Sequence, residues 1–154
     1  MKNQETVQKF YDAFKNADGE TMAYCYADHA SFSDPVFPHL TSQEVRGMWR
    51  MLCGRSRDLK LDYELQKIDD HHFKVNWNAS YTFTKTGRRV YNRIEAHLEM
   101  DQGRIIRHQD RFDFWRWSRQ ALGVPGLLLG WTPILRSAVR KEAARSLQSF
   151  LKGK

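Results

Sequence analysis

Two hydrophobic periodicities divide the chain. Val7, Phe10, Tyr11 and Phe14 recur at three- and four-residue spacing and predict one apolar face of a helix over about Gln4 to Asn16. Asp18-Gly19 breaks it, and Asp18 is placed to cap a shorter helix through Tyr26. Ala30 to Ser33 reads as a short strand. It stops at Asp34-Pro35, because proline lacks a ladder donor and pushes the preceding residue out of the α region. Thr41 with Glu44 three residues on is a capping box that opens a third helix. Val45, Met48, Trp49 and Leu52 form its predicted buried face, and Gly54 suits its C-terminal end.

The period then changes to two. Leu59, Leu61, Tyr63 and Leu65 alternate with polar residues, as do Phe73, Val75, Trp77, Ala79, Tyr81 and Phe83. Such alternation predicts strands with one face on a core. Asp69-Asp70 and Thr86-Gly87 mark turns, and Val90, Ile94, Ala96, Leu98 and Met100 share one face of a third strand. Asp101-Gln102-Gly103 turns into a fourth, Arg104 to Asp113. Helices first and hairpin-linked strands after predict an α+β domain over residues 1–114, three helices and a curved antiparallel sheet forming a cone, the cystatin-like roll. Residues 115–154 read as a C-terminal helical extension packed on the same domain. In it Gly123, Pro125, Gly126 and Gly130 interrupt the chain before Thr132 caps a last, basic amphipathic helix with Pro133 at its first position.

The last strand carries the candidate chemistry. By period two, Ile106, His108, Asp110, Phe112 and Phe114 share a face, which reads as interior because it holds the large apolar residues. His108 and Asp110 then stand together on an apolar wall, where unsatisfied polar groups cost free energy. Burial raises a carboxyl pKa and makes a proton acceptor near neutral pH. Asp34, His108 and Asp110 are therefore the candidate catalytic residues. The competing expectation is a structural polar network on the strand and ordinary Asp-Pro turn chemistry at Asp34.

Tyr26-Ala27-Asp28-His29-Ala30-Ser31-Phe32-Ser33-Asp34-Pro35 resembles the junction between second helix and first strand of the nuclear transport factor two-like superfamily. Residues 103–113, GRIIRHQDRFD, resemble its last strand. That superfamily includes ketosteroid isomerases, SnoaL-like polyketide cyclases and limonene epoxide hydrolases. The resemblance covers about residues 4 to 114 and implies a pocket inside the cone, often with a homodimer, and cofactor-free isomerase, cyclase or hydrolase chemistry on a small hydrophobic molecule. It places Asp34 where the isomerases have their general base and Asp110 where the epoxide hydrolases have their last-strand aspartate. Phe10 and Ala96 stand where the isomerases have their oxyanion tyrosine and proton-donating aspartate, so that donor pair is missing. Tyr11, next to Phe10, is expected to point about 100° away. Phe10, Phe14, Trp49, Trp77, Tyr81, Ile94 and Phe112 are the expected pocket lining.

Composition narrows the alternatives. From Arg104 onward there are eleven Lys/Arg against three Asp/Glu, so the whole net charge of +7 gathers in the last third. With Trp115, Trp117, Trp131 and Leu127-Leu128-Leu129, this segment also reads as an interfacial membrane anchor over residues 115–151, the weaker expectation beside a cover for the open end of the cone. A docking module without catalysis is the alternative function. No nucleic-acid module, phosphate loop or nucleophile elbow is present, and His71-His72 beside Asp69-Asp70 lacks zinc-site spacing, so no metal, cofactor or nucleic-acid partner is expected. The N-terminal stretch has no apolar run behind its lysine, and Cys25 and Cys53 read as free thiols, which together predict a cytoplasmic protein.

Overall fold

The computed structural model describes residues 2–153. In chain order the elements are α1 (Lys2–Lys15), α2 (Gly19–Tyr24), β1 (Tyr26–Ser33), β2 (Leu40–Thr41), α3 (Ser42–Arg55), β3 (Lys60–Lys67), β4 (His72–Phe83), β5 (Arg88–Asp101) and β6 (Arg104–Arg111). Then follow α4 (Phe114–Leu122), α5 (Val124–Leu129) and α6 (Pro133–Lys152). One six-stranded sheet runs β2-β1-β6-β5-β4-β3 and curves around the first three helices, the expected α+β cone. The pairs are antiparallel except β1 with β6, which run parallel because the chain between them crosses the whole fold.

The caps are those the sequence announces. Asp18 accepts from the Thr21 amide, and Thr41 and Glu44 form the reciprocal capping box. Three expectations need correction. The second helix ends at Tyr24, so Tyr26 opens β1, four residues ahead of the predicted strand start at Ala30. Leu52 is exposed, whereas Met51, Cys53 and Gly47 join Val45, Met48 and Trp49 in burial. At Gly47 the cause is α6, which packs on α3 so that a Cβ there would strike the Leu151 side chain, whereas Cys53 turns to Met22 of α2. On β6, Ile105 is buried and Ile106 only partly so, because the ladder slips opposite Glu99 and Met100. Ile106 is the extra residue of a bulge, and the alternation restarts one residue later with His108 and Asp110 on the core face.

The main core joins α1, α3 and the concave face of the sheet, with Val7, Phe10, Tyr11, Val45, Val75, Ala96 and Ile105 fully enclosed. A smaller cluster of Val90, Phe114, Trp117 and Ala121 fixes α4 against β5. Phe112 and Tyr81 pack against both. Cys25 and Cys53 are buried and free. Among the described residues no helix is long and apolar enough to cross a membrane.

Candidate functional site

The interior polar line begins at Trp49 on α3. Its indole Nε1 donates to the Tyr26 hydroxyl at 2.9 Å. The same hydroxyl lies 2.8 Å from Nδ1 of His108, and His108 Nε2 lies 2.8 Å from Oδ1 of Asp110. Tyr26 and His108 are within 1% of complete burial, and Asp110 is nearly so. Donor counting orients the chain. Trp49 can only donate, so the one hydroxyl proton of Tyr26 goes to Nδ1, and Nε2 carries the proton that goes to the carboxylate. Every member is then satisfied, and the line points from Trp49 through Tyr26 and His108 to Asp110. Phe10 packs edge-on against Tyr26, Trp49 and His108, and Phe32 closes the other side of the imidazole at 4.9 Å between ring centres.

Asp34 sits one residue beyond β1. Ser33 is the register partner of Gln109 in the parallel ladder, so Asp34 follows on alongside Asp110. Its Oδ1 accepts from the Val36 and Phe37 amides at 2.7 and 2.5 Å. Burial pushes its pKa up to about 7. The two amide bonds and Arg140 work against that rise, and the Asp110 charge works with it. The structure thus brings Asp34, His108 and Asp110 to one region, His108 and Asp110 by direct contact and Asp34 through its field. Among the described residues, no hydrogen bond engages the second carboxylate oxygen of either aspartate.

Two buried donors have no partner among the described residues, the Tyr11 hydroxyl and Trp77 Nε1. Their rings neighbour each other, and burial together with the Asp110 charge holds the Tyr11 phenol well above its ordinary pKa. Tyr11 points away from the His108 side, as expected, and is nevertheless enclosed. The cone wraps α1 so far that both Phe10 and Tyr11 are enclosed, Phe10 toward His108 and Tyr11 toward Tyr63 and Trp77. Phe14 fills the gap between Trp49 and Trp77, and Ile94 pairs with Trp77 across the sheet. Tyr81 accepts from Trp117 Nε1 at 3.0 Å on the Asp34 side. Tyr26 is the polar residue that sequence reasoning missed; Tyr11 was placed on the buried face of the first helix, but its unpartnered hydroxyl was not foreseen. Tyr26 was hidden by its assignment to a helix end.

A groove of about 330 Å³ runs outside the cone between α6 and the 36–40 segment, bordering the turn that holds Asp34. Arg140 of α6 spans it and donates to the Pro35 carbonyl at 2.9 Å. No three His, Cys, Asp or Glu side chains among the described residues are grouped to hold a metal; His72 instead contacts Asp69.

Residues 7–108 match the model of the SnoaL-like domain. The chain belongs to that family. No curated protein matches it in sequence. Solved structures share its fold. An NTF2-like protein of unknown function from Burkholderia pseudomallei superposes with a TM-score of 0.69 at 18% identity, over 79% of this chain and 98% of its own. A protein with a ketosteroid isomerase-like fold from Catenulispora acidiphila, solved with trimethylamine, gives 0.68 at 14% identity, over 84% and 98%. An LEH-like epoxide hydrolase from M. tuberculosis gives 0.62 at 19%, over 83% and 96%. This SnoaL-like domain also carries α4 to α6, beyond the span of the family match.

Proposed function

We infer that this SnoaL-like domain binds a small, largely apolar molecule bearing one carbonyl oxygen and moves a proton on the carbon beside it without a cofactor. The observation that carries the reading is the pair of unpartnered buried donors, Tyr11 and Trp77, in the interior that also holds Asp110. Buried donors without partners are rare and costly, and a ligand oxygen would satisfy both. Asp34 supplies the proton acceptor. With its pKa near 7 and one free oxygen, it can take a proton from the α-carbon and return it to another position. The negative charge that develops on the ligand oxygen would fall to Tyr11 and Trp77. His108, fixed through Tyr26 and Trp49, orients Asp110. In this reading the ligand would enter from the groove beside the Asp34 turn, which Arg140 crosses. The kinship with isomerase-like and epoxide hydrolase folds supports the class of ligand by analogy alone.

The test needs no knowledge of the product. A panel of apolar ketones and enones is incubated with the protein in deuterium oxide, and exchange at the α-carbon is followed by NMR. Exchange above the buffer rate that Asp34→Asn abolishes and Tyr11→Phe weakens is the expected result. Exchange indifferent to both substitutions, or absent across a panel that nevertheless binds, would overturn the proton-transfer reading.

A further inference from the structure

The C-terminal extension presents a surface that the interior site does not use. Val124, Leu127, Leu128, Leu129, Trp131 and Ile134 are all exposed, Leu128 at 62%, Trp131 at 72% and Ile134 at 80%. They form one stretch, α5 and the turn into α6, held out from the body by α4. Gly126 and Gly130 make this possible, since a Cβ on either would lie about 2 Å from Ser118 atoms.

The backbone of this tip closes on itself. The last four carbonyls of a helix lack intrahelical partners and are met by side chains, tightened turns or water. In α5 each is taken by the protein itself. Gly126 accepts from the Gly130 amide and the Ser118 hydroxyl, Leu127 from Trp115 Nε1, Leu128 from Trp131 Nε1, and Leu129 from the Thr132 amide and hydroxyl. Pro125 removes one of the orphan donors at the other end. Internal satisfaction of this kind is what a hydrocarbon environment demands and water does not. Indole rings beside such a patch suit the boundary between headgroup and acyl chain.

The charge around the tip has one sign. Arg119 lies over Trp115, Arg136 lies over Phe114, and neither makes an ion pair among the described residues. Arg136 and Arg140 line a groove of about 370 Å³ with Trp131 and Ser137, directly beside the apolar residues. Apolar insertion flanked by free guanidinium groups complements an anionic phospholipid surface. A second copy docking on the same patch about a twofold axis would instead bring these arginines together.

We propose that α5 and the turn after it dock this protein on an anionic phospholipid bilayer, with Leu127 to Leu129 and Trp131 entering the interface and Arg119 and Arg136 meeting lipid phosphates. The inference is independent of the interior site. Flotation of the full chain with phosphatidylcholine vesicles and with mixed phosphatidylcholine–phosphatidylglycerol vesicles, in low and high salt, tests it. Binding should require phosphatidylglycerol and weaken with salt. Leu128→Glu and Trp131→Glu should each lower the bound-to-free ratio by about tenfold or more. Arg136→Glu should lower it several-fold. These sites are exposed, and unchanged circular dichroism would establish that the variants fold. No flotation with the anionic vesicles would overturn the proposal, as would flotation that Leu128→Glu leaves intact. A lipid-free dimer that Leu128→Glu dissociates would overturn it in favour of a second copy.

Discussion

The Tyr26 hydroxyl lies 2.8 Å from His108 Nδ1 and 2.9 Å from Trp49 Nε1, so one phenol on β1 ties α3 to β6 through the middle of the core. It is the only hydrogen-bond partner of the Trp49 indole and of that imidazole nitrogen among the described residues. Tyr26→Phe leaves both buried and unpaired, at about 1–3 kcal/mol for each group. The variant should lose about 2–6 kcal/mol in urea unfolding. Trp49→Phe removes a donor and a larger ring, and the double variant should cost clearly less than the two single losses together. Strict additivity would mean that the three side chains do not act as a unit.

Asp34 gives the fold a pH dependence of defined sign. Burial disfavours its charged form, so the folded chain holds the proton up to about pH 7, while the unfolded chain releases it near the ordinary carboxylate value of about 3.9. Its contribution is fully present below that lower value and is lost as pH rises through 7. Asp34→Asn keeps an oxygen for the Val36 and Phe37 amides and removes the titration. The variant should match the wild type near pH 4 and exceed it at pH 8, by roughly 1–3 kcal/mol. Parallel stability curves from pH 4 to 8 would mean that Asp34 is not desolvated.

The two aspartates are also linked to each other. The Asp110 charge raises the Asp34 pKa, although less than burial does. Asp110→Asn should therefore lower the Asp34 value partway toward the ordinary carboxylate range, measured by carboxyl-carbon NMR titration. An unchanged Asp34 titration would place the two carboxyls in separate sites and remove the basis for a shared acid–base centre.

The elements were legible where local physics decides them. The period-three-and-four face of α1, the Thr41–Glu44 box and the alternation of β4 and β5 all appear as read. His108 and Asp110 were legible as an interior pair because two polar residues interrupt an apolar strand face. What was not legible depends on contacts distant in sequence. The Ile106 bulge is set by pairing with β5, and the burial of Gly47 by α6 about one hundred residues on. Tyr26 was assigned to a helix that stops short of it, and so the centre of the polar network went unread.

Gly126 offers a test of how the C-terminal tip is built. A Cβ there would lie 2.0 Å from the Ser118 carbonyl oxygen and 2.8 Å from the Arg119 amide nitrogen, both backbone atoms that cannot swing aside. Gly126→Ala must therefore open the joint between α4 and α5. That shift breaks the Ser118 and Trp115 bonds to the Gly126 and Leu127 carbonyls, but the core around Val7, Phe10 and Ile105 does not touch this joint. Global unfolding should fall by only about 1–2 kcal/mol, while amide exchange in α5 accelerates far more and the Trp115 fluorescence environment changes. Uniform acceleration across β4 and β5 as well would mean that the extension and the cone unfold as one unit. Exchange confined to α5 would identify the tip as a locally independent element, held in place by the close approach that a glycine permits.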